Sequence, residues 1–274
     1  FYNLIELGPG KGTLISDILR VGNINKKFID STNLTLIEKN EKLVNLQKNC
    51  MKNMGFNRVT WQEKFKVQKN NIPSIIYSNE FFDCFPVRQF YKKEKWIEKF
   101  VKYNYKHNLF SFTTNEVIDK KILNNLEPFN KIKVAELSNL RKNYFDNVCK
   151  YIKKNKGMFI TIDYGYKKLP AHLTLQTIYN HKKTHLFENI GRQDITAFVN
   201  FDELISIANK NDLTLEIFCS QKDFLISCGI EQRKEKLKIN KNQKSIENLE
   251  IEVDRLINKS KMGEIFKVLV VSCF

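Results

Sequence analysis

Apolar and polar positions alternate along this chain in two periods. Short apolar runs at Tyr2 to Leu7, Leu34 to Ile37, Val59 to Trp61, Ser74 to Tyr77 and Met158 to Ile162 are separated by stretches of helical spacing. Such alternation predicts a parallel sheet flanked by helices, because parallel neighbours need crossover connections. Helices are predicted over Thr13 to Arg20, with Leu14, Ile15, Ile18 and Leu19 on one face, and over Glu41 to Met54, with Leu43, Val44 and Leu46. A long one is predicted over Val134 to Lys154, stopped by Gly157. From Phe85 to Asn115 the period shortens to two, and "RQFYKKEKWIEKFVKYNYKHNLFSF" reads as antiparallel strands inserted after the fourth parallel one. "LTLEIFCS" and "IFKVLVVSCF" predict two late strands, with lysine-rich Arg233 to Lys244 between them as a solvated loop or helix face. The expected fold is therefore α/β and Rossmann-like, one domain over 1–274 with insertions at about 86–130 and 166–200.

The first strand breaks into "ELGPGKGTL". Gly8, Gly10 and Gly12 can turn with positive φ and let a ligand approach the backbone, while the helix that follows presents unpaired N–H groups. Glycine turns of this kind also join strands to helices without binding anything. Two acids sharpen the reading. Glu6 precedes the bend and disfavours a phosphate at close range, and Glu38 ends the next strand, where a carboxylate can accept both ribose hydroxyls. Ribose without pyrophosphate points to S-adenosylmethionine. Thr13 follows Gly12 where a phosphate-cradling loop would need its Lys-Ser/Thr pair.

In several blocks the chain resembles the MidA methyltransferases, whose mitochondrial members are complex I assembly factors that methylate arginine. "ELGPGKGTL…DILR", "LIEKNEKLVNLQ", "NEFFDCFPVRQF", "WIEKFV", "ITIDYG", "TLQTIYNH", "GRQDITAFVNF", "QKDFL" and "MGEIFKVL" stand in family order. The resemblance implies a class I methyltransferase fold, a seven-stranded sheet with its last strand antiparallel. It implies that Glu6, Gly8, Pro9, Gly10 and Gly12 form the cofactor loop, that Glu38 contacts the ribose, and that Glu63 and Asn79 lie along the cofactor. Glu63 also reads as an ordinary surface acid. Family members carry a further N-terminal segment that helps cover the cofactor; here it is absent, and the chain starts inside a strand without an initiator Met. The family's usual "AHVDF" has become Ala197 to Phe201, with Phe198 in place of histidine, which weakens any acid-base role for that loop.

A second candidate site follows the fourth apolar run. Asn79, Glu80 and Asp83 stand at its carboxyl end, where open α/β sheets bind ligands. If "NEFFDCFP" starts a helical turn, Glu80 and Asp83 face one way while Phe81, Phe82 and Phe85 wall the pocket. Paired carboxylates can hold a guanidinium in two-point contact, so Glu80 and Asp83 are the candidate catalytic residues. The alternative is that Asn79 and Asp83 cap a helix. Cys84 sits among bulky apolar neighbours and reads as buried packing. His181 and His185 lie in an irregular segment, Lys167 to Asn200, and the histidines have no ligand spacing for a metal.

Composition changes the picture little. The +16 formal charge invites a nucleic-acid reading, but lysine, asparagine and isoleucine are spread over the whole chain rather than gathered in a stripe. Six scattered cysteines without a Cys-x-x-Cys pair fit a reducing compartment, either bacterial cytoplasm or mitochondrial matrix. No run is long and apolar enough for a membrane span. The expected partner is a protein substrate, a complex I subunit by the resemblance. An RNA or small-molecule methyltransferase, or a non-catalytic assembly protein that keeps the fold, remain the competing readings.

Overall fold

A computed structural model describes every residue except Gln68, Asn70 and His181, so the expectation for His181 lies outside the described residues. The chain runs β1 (Tyr2–Leu7), α1 (Thr13–Gly22), the short α2 (Lys26–Ser31), β2 (Thr32–Ile37), α3 (Glu41–Asn53), β3 (Val59–Gln62) and β4 (Ser74–Asn79). An inserted unit follows, with β5 (Arg88–Lys92), β6 (Trp96–Asn104), β7 (Leu109–Glu116), α4 (Lys120–Leu126) and β8 (Val134–Leu137). Then come α5 (Asn139–Asn155), β9 (Gly157–Tyr166) and a small sheet of β10 (Gln176–Tyr179), β11 (Lys182–Thr184) and β12 (Asp194–Thr196). The last third holds β13 (Val199–Asn200), α6 (Phe201–Lys210), β14 (Thr214–Ser220), α7 (Gln221–Ser227), α8 (Ile230–Lys238), α9 (Gln243–Ile257), α10 (Met262–Ile265) and β15 (Phe266–Cys273).

The main sheet has the order β14-β15-β9-β4-β1-β2-β3, with β13 beside β9. Only β15 runs against its neighbours. This is the seven-stranded sheet with its last strand antiparallel expected above, with β13 added at its side. The chain leaves β1 for β2 on one side and returns to β4 on the other, so the strand order reverses at β1 and opens a crevice beyond the carboxyl ends of β1 and β4.

Each sheet face carries its own core. Phe82, Phe145, Phe159, Phe201 and Leu204 fill the side covered by α5 and α6, and Leu4, Ile15, Leu19, Leu34, Leu36 and Met51 fill the side covered by α1 and α3. Two faces differ from expectation: Leu14 and Leu46 point to solvent, and Gln47 is buried in place of an apolar residue.

The long helix predicted from Val134 begins later. Val134 to Leu137 alternate in burial as β8 and pair with β5, and Ser138 then caps α5 by accepting from the Arg141 N–H. The antiparallel strands predicted between Phe85 and Asn115 are β5, β6 and β7. Four helices fill the stretch between β14 and β15, and Arg233 to Lys238 lie on one of them, α8. Among the described residues no helix is long and apolar enough to cross a membrane.

Candidate active site

The glycine bend leaves the end of β1 with Gly8, Gly10 and Gly12 all in the left-handed region, at φ +66, +54 and +79. The Gly8 N–H donates to the Ile37 carbonyl at 3.0 Å and the Gly12 N–H to the Pro9 carbonyl at 2.8 Å, which ties the bend to β2 and closes it on itself. A Cβ on Gly8 would lie 2.6 Å from the Phe81 ring, whereas one on Gly10 would meet nothing within 4 Å. Gly8 is therefore required by packing, and Gly10 faces open space.

Gln47 anchors the bend from α3. Its Nε2 donates to the Gly10 carbonyl at 2.7 Å, and its Oε1 accepts from Trp61 Nε1 at 3.0 Å. The relay spans three consecutive βα units and explains the buried amide, whose polar atoms need partners once removed from water. A glutamine at helical spacing among apolar neighbours carries no signal by which sequence alone could have found it.

Glu6 is buried beneath the bend, and Tyr77 on β4 donates its hydroxyl to Glu6 Oε2 at 2.9 Å. Burial pushes the Glu6 carboxyl up to about 7, and the tyrosine bond partly offsets that rise. Glu38 stands half-buried at the end of β2, and its Oε1 accepts from the Asn40 N–H at 2.9 Å. Among the described residues its Oε2 has no protein hydrogen-bond partner, which leaves it acceptor capacity. Glu63 is exposed on the bend after β3, next to Gln62, whose carbonyl accepts from the Glu38 N–H at 2.9 Å.

After β4 the chain makes a turn and no helix, which corrects both the helical-turn expectation and the capping alternative for Asn79 and Asp83. Glu80 adopts φ +49, a conformation rare for a residue with a Cβ, and is held there by its N–H bond to the Ile162 carbonyl at 3.0 Å. The next three amides, of Phe81, Phe82 and Asp83, all donate to Asp163 Oδ2 at 3.1, 2.8 and 3.3 Å. Asp163, fully buried in β9, supplies the acceptor these N–H groups need, since even a helix starting here would leave its first amides unpaired. An acid inside the apolar strand "ITIDYG" was the visible sign of it.

Arg141 holds the same turn from the other side. It is buried, and its guanidinium donates to the carbonyls of Phe82, Ala197 and Phe198 at 2.8, 3.1 and 3.1 Å, pinning the turn after β4 to the loop before β13. Only the planar fork of arginine reaches three carbonyls in this way. Its charge also lies near Asp163 and Asp83.

The structure brings Glu80 and Asp83 together, though in different settings. Asp83 is buried and its carboxyl is raised chiefly by desolvation, while a hydrogen bond from the Cys84 thiol works against the rise. Asp163, deeper still, is raised well above its ordinary range by desolvation and by Asp83. Glu80 is exposed, and its carboxyl is raised by desolvation first and by the Asp83 charge second. Asn79, also exposed, donates to Glu80 Oε1 at 3.3 Å. Cys84 is exposed and not buried as expected; desolvation and the neighbouring Asp83 push its thiol up, away from the thiolate a nucleophile needs.

Phe81, Phe82, Phe85 and Tyr144 form an aromatic wall, with Phe81 5.1 Å and Phe85 5.4 Å from the Tyr144 ring centroid. Phe81 touches both this wall and the space above Gly8, so the two halves of the site share one contact. Phe198 stacks at 6.1 Å on Tyr164.

A doubly wound sheet of this strand order, with a glycine bend over a buried acid and a second acid ending β2, defines the class of S-adenosylmethionine-dependent methyltransferases. Residues 1–219 match the family described as "Putative S-adenosyl-L-methionine-dependent methyltransferase", and the chain belongs to it. It is 27% identical over 290 aligned positions to the mitochondrial protein arginine methyltransferase NDUFAF7 of Danio rerio, covering 96% of this chain and 67% of that protein. The human protein of the same name is 26% identical over 97% of this chain and 65% of its own length. The chain thus spans about two thirds of these relatives. A Burkholderia thailandensis structure bound to S-adenosyl-homocysteine superposes with a TM-score of 0.83 at 22% identity, over 99% of this chain and 71% of that one. A native crystal structure from the same organism gives 0.85 at 22% identity, over 99% of this chain and 74% of that one.

Proposed function

We propose that this protein transfers the methyl group of S-adenosylmethionine to an arginine side chain of a protein. The crevice residues suit that cofactor: open space over Gly10 admits it, Glu38 Oε2 is available to a ribose hydroxyl, and the acid Glu6 favours a cationic ligand over a phosphate. Gly8, Pro9, Gly10 and Gly12 would line it, with Glu63 toward the adenine and Asn79 beside the reacting end. When bound, the cofactor supplies an electrophilic methyl group.

The observation that carries the arginine reading is the turn after β4, where Glu80 is fixed at φ +49 next to Asp83. Two carboxylates in that position would accept from a guanidinium and orient one of its nitrogens toward the methyl donor; as the new N–C bond forms and the S–C bond breaks, one carboxylate would accept the proton that the nitrogen loses. Because arginine stays protonated near neutral pH, alignment and charge placement supply most of the acceleration. The substrate that the family resemblance suggests is a subunit of respiratory complex I, and the compartment is the mitochondrial matrix or a bacterial cytoplasm.

Incubation with methyl-labelled S-adenosylmethionine and either an arginine-bearing peptide or single-stranded RNA tests this. The reading expects label on arginine, with kcat reduced about 100-fold in Glu80→Gln. Label in RNA alone, or no cofactor binding by calorimetry, overturns it.

A further inference from the structure

We propose that the groove between the two inserted sheets binds an acidic, aromatic-bearing segment of the protein substrate, at a distance from the arginine to be methylated. This rests on the reading of the chain as a protein methyltransferase and adds the chemistry by which it selects its partner. The groove has a volume of about 400 Å³ and lies where β5, β6 and β7 face β10 and β11, lined by Gln89, Lys99, Phe112, Lys183, His185 and Leu186 among others. No carboxylate stands among the described residues that line it. The two acids of the neighbouring hairpin are already engaged, Glu98 by Arg88 at 2.6 Å and Glu116 by Lys95 at 2.8 Å.

Aromatic surface continues from the cationic end. Lys99 Nζ lies 3.5 Å from the Phe112 ring centroid, and Phe112 meets Phe187 at 4.7 Å. Beyond Phe187 a second groove of about 600 Å³ is lined by Tyr103, Tyr105 and Phe110. Its strand β7 is exposed along its whole length and is the outer strand of its sheet, so its unpaired backbone groups can receive an extended segment.

Charge decides the occupant. A second copy of this chain, at +16, would be repelled from a cationic groove. A nucleic acid fits the lysines, but the small sheet that walls the groove also carries Asp194 at the start of β12, a carboxylate near enough to Glu80 to act on it. A peptide can present acids to the lysines and arginine to Glu80, whereas a polyphosphate carries a single sign.

The test is fluorescence anisotropy of the full chain with a labelled twelve-residue peptide of alternating Glu and Phe, compared with the same peptide carrying Lys for Glu. The acidic peptide is expected to bind at least tenfold tighter, and Lys99→Glu/Lys183→Glu to weaken it about tenfold. Cofactor binding by that variant, and its turnover of a short peptide lacking the acidic flank, should match wild type. Unchanged acidic-peptide binding in the variant overturns the proposal, as does an RNA oligonucleotide that binds the groove where the acidic peptide does not. Because the readout is binding, groove recognition without methyl transfer would refute the enzymatic reading alone, and methyl transfer with charge-indifferent binding would refute this inference alone.

Discussion

Replacing Gly10 with alanine separates what the bend costs the fold from what it does for a ligand. Gly10 sits at φ +54, and a Cβ there meets no atom within 4 Å. An L-residue in the left-handed region costs about 1–2 kcal/mol, and with no clash to add, the loss of stability stops there. In a chain of this size that lowers Tm by roughly 2–8 °C. The space that is open in the protein alone is the space assigned to S-adenosylmethionine, so the new methyl falls on the ligand. Crowding of that kind costs about 1–3 kcal/mol, equivalent to a rise in Kd of roughly 5- to 150-fold. Gly8→Ala has the opposite balance: its Cβ would stand 2.6 Å from Phe81, so about 1–3 kcal/mol of overpacking adds to the backbone cost and appears mainly in the melt. Thermal melts and calorimetric titrations of both variants decide the matter. If Gly10→Ala melts as expected yet binds the cofactor within about twofold of wild type, the bend is a turn and not a ligand cradle.

Two other substitutions address the supports of the site. Arg141→Met strips donors from three buried carbonyls and leaves Asp163 and Asp83 without their nearest cation, an expected loss of about 3–5 kcal/mol. Lys142→Ala, which breaks the neighbouring pair with Glu203 at 2.7 Å, should cost no more than about 1 kcal/mol, and equal melts for the two would contradict the pinning role. Glu6 ionises near 4.5 when unfolded and near 7 when folded, so its contribution is fully present below about 4.5 and falls away as pH rises through about 7. The difference corresponds to about 3 kcal/mol, and denaturant unfolding of Glu6→Gln should lack that decline while wild type shows it.

The main sheet was legible because its strands are apolar runs bounded by turn residues, and the glycine bend because three glycines in five residues mark a sharp turn out of a strand. The blind spots share a physical cause. Gln47 and Arg141 act through backbone carbonyls of distant segments, and no local period announces a bond of that kind; Asp163 shows only as an acid in an apolar strand, with nothing local to say which amides it meets. "NEFFDCFP" misled because its composition allows a helical start, whereas Asp163, 80 positions from Asp83, supplies the caps that make a turn stable instead. The Val134 boundary failed for a related reason: Val134 to Leu137 have apolar residues compatible with either period, and pairing with β5 decides for the strand.

A crystal grown with S-adenosyl-homocysteine, the cofactor without its methyl group and positive charge, examines directly whether an adenosyl group sits over the bend. The expected map has the ribose hydroxyls within hydrogen-bond distance of Glu38 and the homocysteine end between Gly10 and Glu80. Density for the ligand elsewhere on the protein, with the space over Gly10 filled by solvent, would contradict it.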